Sequence, residues 1–319
     1  MTRQSSHTIA VVVPSFKRPI ALKQCLDSLD RQLLLPEEVV VVYRTDDIET
    51  RTMLEGWTNV TANYRKCIVG VTVPGLIYAL HVGTQQCSSD IVAYTDDDAI
   101  PHRDWLLNLL GHYDNLNIGG VGGRDIIPNQ PATEPVVVGK LTWCGKIIGN
   151  HHLGVGSPRL VNILKGVNMS YRRELIRFPI GFKGTGSQPY GEVYTGLVVQ
   201  NEGFYLLYDP NCQVDHFPAV RPGEDRIRPS KQAVFESSYN LNATMFLLLP
   251  FPKKLARIGY QLFLGDRALP GIMRLLVALL RHETDVYERW LPSLFGLWDA
   301  LFDRTNIERR AFDKYEKFS

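Results

Sequence analysis

Residues 91–106 read IVAYTDDDAIPHRDWL. An apolar run, Ile91 to Tyr94, ends in three successive carboxylates, Asp96, Asp97 and Asp98, and hands over after Pro101 to a helical pattern around Trp105 and Leu106. A short β-rich run followed by a polar turn and a helix is the repeating unit of a parallel sheet. The same alternation extends toward the N-terminus. Strands are expected at Ile9–Val13, Val39–Tyr43, Ile68–Val71 and Ile91–Thr95. Helices are expected over 21–34, where Leu22, Cys25, Leu26 and Leu29 recur at a 3.6-residue period, and over 50–57, 76–86 and 104–112. The expected fold class is therefore α/β, with a mainly parallel, Rossmann-like sheet flanked by helices. Such sheets bind ligands beyond the carboxyl ends of their strands. That singles out three turns: Pro14-Ser15-Phe16-Lys17-Arg18, Arg44-Thr45-Asp46-Asp47 and Asp96-Asp97-Asp98.

Three adjoining carboxylates raise one another's pKa unless a cation sits among them. Their hard oxygen atoms suit Mg²⁺ or Mn²⁺. The other reading is an N-cap cluster for the helix after Pro101, where Asp is favoured. No GxGxxG follows the first strand and no GxxxxGK[ST] occurs, so neither a dinucleotide nor a P-loop fingerprint is present.

With 319 residues, 45% hydrophobic, the chain can bury a sizeable core, and a net charge of +2 does not demand a nucleic-acid partner. The five cysteines form no CxxC or zinc spacing and read as reduced thiols; His151-His152 lack a third ligand and read as a turn. The apolar stretch before Pro14 is too short for a signal peptide or membrane span, so a cytoplasmic location is expected. Beyond Ile118 the expected elements are glycine-rich turns at 119–123, strands over 136–141 and 161–169, a helix over 190–202, strands at 204–208 and 212–216, and a mobile loop over 217–230. Helices broken by prolines are expected to the end.

Several segments, in order, resemble the family 2 glycosyltransferases of the GT-A fold. TIAVVVPSFKRP (8–19) is similar to the family's opening strand and turn, and PGLIYALHVGTQQCSSDI (74–91) to its next conserved helix. IVAYTDDDAIPHRDWL resembles its DDD segment, and GVGGRD (120–125), LKGVNMSYRRELI (164–176) and YDPNCQVDH (208–216) its later motifs. The resemblance covers about residues 8–245. It implies metal-dependent, inverting transfer of a sugar from a nucleoside-diphosphate sugar to an acceptor hydroxyl, saccharide or lipid-linked, in polysaccharide or glycolipid synthesis. Asp98 would ligate the metal, and His216 would be a second ligand or a phosphate partner, its plain alternative being a satisfied strand-end histidine. Asp96 and Asp97 would meet the nucleoside, and Pro14, Ser15, Phe16 and Arg18 would wall its pocket, unless Phe16 simply packs in the core. Asn168 and Arg172 would line the acceptor site, unless 171–173 is an ordinary basic helix start.

The chain departs from the family in two places. Arg44, followed by Asp46 and Asp47, stands where most members carry Asp, so Arg44 either meets a phosphate or ribose or is an exposed turn arginine. Gly191-Glu192 stands where members carry Glu-Asp; Glu192 would be the catalytic base, the alternative being a residue favoured by the helix dipole. The implied organisation is a catalytic domain over 1–245, with a donor half (8–125) and an acceptor half (126–245), and a helical extension over 246–319. Within that extension, residues 253–281 hold six basic residues against one acidic. Their helices either touch a membrane surface, which would make the protein peripheral on its inner face, or pack on the catalytic domain or a second subunit.

Overall fold

The computed structural model describes residues 7–131, 136–219 and 228–303. They form two compact units, one from Met1–Lys140, Ile148–Phe178 and Thr195–Ala219, the other from Leu141–Ile147, Pro179–Tyr194 and Val220–Ser319.

The first unit opens with strands β1 (Ile9–Ser15), β2 (Glu38–Arg44), β3 (Arg65–Val71) and β4 (Ile91–Tyr94), linked by helices α1 (Pro19–Leu29), α2 (Ile48–Thr58) and α3 (Leu76–Gln85). All four strands are parallel, in the spatial order β3-β2-β1-β4. One sheet face, with Val11, Val13, Val39 and Val41, packs on Leu22, Leu26 and Leu29 of α1 and on Trp105 and Leu109 of α4 (Trp105–Gly111). The other face meets α3 so closely that a Cβ on Gly83 would lie 2.6 Å from Val12. Each of these buried aliphatic side chains contributes about 1.5–3 kcal/mol by leaving water.

The sheet continues with β5 (Ala99–Pro101), β6 (Ile118–Ile126), β9 (Arg159–Val161), β10 (Met169–Arg172) and β11 (Tyr205–His216). β10 is antiparallel to β4 and β6, β6 is parallel to β11, and β5 and β9 each pair antiparallel with β11. β7 (Lys140–Leu141) and β8 (Ile147–Ile148) form a separate two-stranded ladder, and α5 (Gly191–Asn201) precedes β11.

Several local expectations are corrected. The glycine run 119–123 is strand, not turn: a Cβ on Gly123 would sit 1.8 Å from the Cys212 carbonyl, so glycine marks the close approach of β6 and β11. Only 140–141 of the strand expected over 136–141 forms, and of the one expected over 161–169 only the end residues are strand, Val161 closing β9 and Met169 opening β10. Tyr171 and Arg172 lie in β10 rather than at a helix start. The two strands expected over 204–216 are one, β11. It carries a register shift in which Asp209 faces Gly123 while Gln213 faces Arg124, leaving Pro210, Asn211 and Cys212 as a bulge where a proline forfeits no ladder bond. Of the expected mobile loop, residues 220–227 lie outside the described residues.

The second unit is helical: α6 (Lys231–Leu248), α7 (Phe251–Gly259), a π-helical turn (Tyr260–Leu264), α8 (Ile272–Arg281) and α9 (Thr284–Asp303). Residue 245 thus lies inside α6. Arg257 is buried here and donates to Asn242 Oδ1, Gln261 Oε1 and the Gly145 carbonyl. Among the described residues no helix is long and apolar enough to cross a membrane.

Glu38 ties β2 to the entry of β4. Its buried carboxylate accepts from the Ser88 and Ser89 amides, from Ser89 Oγ and from Arg65. Burial opposes its charge, but Arg65 and these amides outweigh burial and hold the carboxyl below its ordinary value of 4.5. Its stabilising contribution is therefore complete above that value and lost as pH falls below it. Glu38→Ala, which strands two buried amide donors, should lower unfolding free energy by about 2–4 kcal/mol at neutral pH. Urea melts at pH 7 and in acid check this: the gap between wild type and variant should narrow in acid, and a constant gap would contradict the assignment.

Candidate active site

In this sheet β1 has β2 on one side and β4 on the other, and chain direction around that point opens a crevice beyond the carboxyl ends of β1 and β4. The Ser15–Arg18 turn and the Asp96–Asp98 turn meet there. Ser15 Oγ donates to Asp97 Oδ2 at 2.7 Å, and Arg18 Nη1 lies 2.7 Å from Asp97 Oδ1 and 3.1 Å from Asp98 Oδ2. Burial raises Asp97 to about 7 against the pull of Arg18 and Ser15.

β11 delivers His216 to the same place, because its end pairs antiparallel with β5 directly after the Asp turn, His216 opposite Ala99. His216 Nε2 is 3.6 Å from Asp98 Oδ1, too long for a hydrogen bond. Asp98 Oδ1 is buried without a hydrogen-bond partner, while Oδ2 accepts from the Ala219 amide at 2.9 Å. Burial opposes the charge of Asp98, yet His216 and the Ala219 amide hold it at about 2. One ligand atom each from Asp96, Asp98 and His216 lies within 4.8 Å of the others. Two carboxylates, one of them with a buried oxygen that no protein group pairs, beside an imidazole nitrogen are a donor set that would suit a divalent cation.

Behind His216 stands Asp125, at the end of β6 and fully buried. Its Oδ2 lies 3.5 Å from His216 Nδ1 and pairs with Lys165. Burial would lower the pKa of His216, but Asp125 and Asp98 raise it to about 9. Asp125 was not among the residues expected from sequence; GVGGRD marks its segment, but the β6–β11 pairing that brings it behind His216 is long-range.

The other expected site residues divide. Phe16 is half-buried rather than a core residue, with the Arg44 guanidinium 5.6 Å and Lys17 Nζ 5.1 Å from its ring. Arg44 also pairs with Asp46 at 3.0 Å. Pro14 is buried in β1. Asp47 is not open to a donor: it caps α2 through the Thr50 amide and accepts from the Lys17 amide, which joins the first two turns. Asn168 and Arg172 are committed to the scaffold. Asn168 Oδ1 accepts from Trp105 and its Nδ2 donates to the Arg124 and Cys212 carbonyls; Arg172 donates to the Ile118, Tyr113 and Asn115 carbonyls. Glu192 is half-buried in the first turn of α5, in the second unit, two residues after Tyr190, which with Gln188 adopts positive φ. His151 is buried, and its Nε2 meets the Ile163 carbonyl at 2.9 Å. A second trio, His112, Asp209 and Cys212, is accounted for by a 2.7 Å hydrogen bond from His112 to Asp209.

The family model for glycosyl transferase family 2 matches residues 10–176 of the 319. The chain belongs to that family. The glucosyl-dolichyl phosphate glucuronosyltransferase of Haloferax volcanii is 21% identical over 219 residues, covering 66% of this chain and 68% of the relative. Among solved structures, the mannosyltransferase PcManGT from Pyrobaculum calidifontis, in complex with GDP-Man and Mn²⁺, superposes with a TM-score of 0.56 at 16% identity, covering 94% of this chain and 87% of that one. GalNAc-T7 with UDP, GalNAc and Mn²⁺ gives 0.63 at 14%, covering 95% and 58%. The fold of this glycosyltransferase is thus the GT-A fold, and the β1–β4 crevice of the transferase is its carboxylate-lined end.

Proposed function

We propose that this glycosyltransferase moves a sugar from a nucleoside-diphosphate sugar to an acceptor hydroxyl, with inversion, using a divalent cation held by Asp98 and His216 together with Asp96. The observation that carries the proposal is the meeting of those three side chains at the crevice, with an unpartnered buried oxygen on Asp98. When bound, Mn²⁺ or Mg²⁺ neutralises charge on the leaving diphosphate. Mn²⁺, named with two similar structures, is the better match to a donor set that includes an imidazole. Arg18 holds Asp97 and Asp98 in place, and Phe16, with Arg44 over its ring, offers a face on which a nucleobase can stack. Glu192 takes the proton from the acceptor hydroxyl as it attacks the anomeric carbon from the face opposite the diphosphate. The acceptor is a saccharide or a lipid-linked sugar, as the name of the Haloferax relative suggests, and the pathway class is polysaccharide or glycolipid synthesis.

The test is incubation with a panel of nucleotide sugars with and without Mn²⁺. Metal-dependent release of nucleoside diphosphate is the expected result; release of pyrophosphate would indicate nucleotidyl transfer, and no release from any donor a binding protein. Asp125→Asn should weaken Mn²⁺ binding about 10–100-fold, because it loosens the histidine behind the metal. Titration of Mn²⁺ in the presence of nucleoside diphosphate measures this directly, and unchanged affinity in a folded variant would remove Asp125 from the site.

A further inference from the structure

Among the described residues, 13 of the 24 exposed large hydrophobic side chains lie between 251 and 302. α8 turns Ile272, Met273, Leu276, Leu279 and Leu280 to water, a spacing that puts them on one helix face, while Ala278 is buried; Leu280 is 84% exposed. α7 exposes Phe251 and Leu255, and the π-helical turn after it exposes Phe263 and Leu264. So concentrated an apolar surface marks an interaction site.

The accompanying charges say which kind. α7 and α8 contain no carboxylate. Of their basic residues, Arg257 is buried inside the unit and Arg274 pairs with Glu283 at 3.0 Å. Among the described residues Lys253, Lys254 and Arg281 have no carboxylate partner. A second copy of the chain would bring the same lysines to a two-fold contact, where like charges repel. An anionic bilayer offers both an apolar layer and negative charge. At nine and ten residues the helices are too short to span it but long enough to lie in its interface. We propose that α7, α8 and the turn between them dock on an anionic lipid surface, with Leu276 and Leu280 entering the acyl boundary and Lys253, Lys254 and Arg281 at the headgroups. This does not depend on the transfer chemistry.

Flotation of the full chain with vesicles of phosphatidylcholine alone, or with phosphatidylserine added, at about 50 mM and about 500 mM salt tests it. Binding is expected on the anionic vesicles at low salt and should fall steeply at high salt. Lys253→Glu with Lys254→Glu should weaken it at least about tenfold. Leu276→Glu with Leu280→Glu, both exposed, should abolish it with the circular dichroism spectrum and donor binding unchanged. Three results would each overturn the proposal: no binding by the folded intact chain at low salt, equal binding to neutral vesicles, or a dimer that the leucine substitutions dissociate without any vesicle binding.

Discussion

Asp98→Asn should reduce sugar transfer by on the order of 10³-fold or more, with little change in melting temperature in the absence of ligands. The substitution keeps the shape of a side chain whose Oδ2 accepts from the Ala219 amide, and removes the charge on its other oxygen, Oδ1, which is buried without a protein donor. Arg18 retains Asp97 as its partner, so the turn itself should persist. The discriminating measurement is a melting curve with Mn²⁺ and a nucleoside diphosphate: wild type should be stabilised by mass action and the variant should not. Near-normal turnover in the variant would exclude Asp98 as a ligand.

Glu192→Gln should lower kcat by about 10²–10⁴-fold while donor affinity and Mn²⁺ affinity stay as they are. The amide occupies the same space in the first turn of α5 but accepts no proton at neutral pH. A loss confined to KM would instead assign Glu192 to positioning the acceptor, and full activity would return it to the helix-dipole reading. Since Asp98→Asn should remove donor-linked metal binding and Glu192→Gln should leave it intact, the pair would separate the leaving-group side of the proposed reaction from the acceptor side.

The parallel half of the sheet was legible in sequence because its information is local. Valine runs at 9–13 and 39–43, the period of Leu22, Leu26 and Leu29, and three carboxylates after a strand each report their own surroundings. What lay beyond reach depends on pairing between distant segments. Gly119–Gly123 reads as turn until Cys212 is known to press against Gly123, and Asp125 looks like any acidic residue after arginine until β6 and β11 are aligned. Asp97, Asp47, Asn168 and Arg172 show the converse. Asp97, Asn168 and Arg172 sit in segments that resemble the family and Asp47 in a strand-end turn, but their polar atoms are consumed by Ser15 and Arg18, by backbone carbonyls and Trp105, and by Lys17 and Thr50. Residue type and position reveal that a side chain is needed; only its hydrogen bonds reveal whether it faces a ligand or the scaffold.

The bulge at Pro210-Asn211-Cys212 acts as a phase setter for everything downstream on β11. Side chains alternate across a strand, so the parity of the inserted residues decides which member of the Asp215-His216 pair points at Asp98. As built, His216 faces Asp98 at the crevice and Asp215 faces His102 on the other side. Lengthening the bulge by one residue, with the ladder to β5 slipping to match, would bring Asp215 to the place opposite Ala99 that His216 now holds, and so an oxygen donor where the imidazole nitrogen stands. Under the proposed role of His216, the length of a segment outside the site would set whether a nitrogen or an oxygen donor stands at the crevice, so an insertion there would change the donor set by register rather than by substitution.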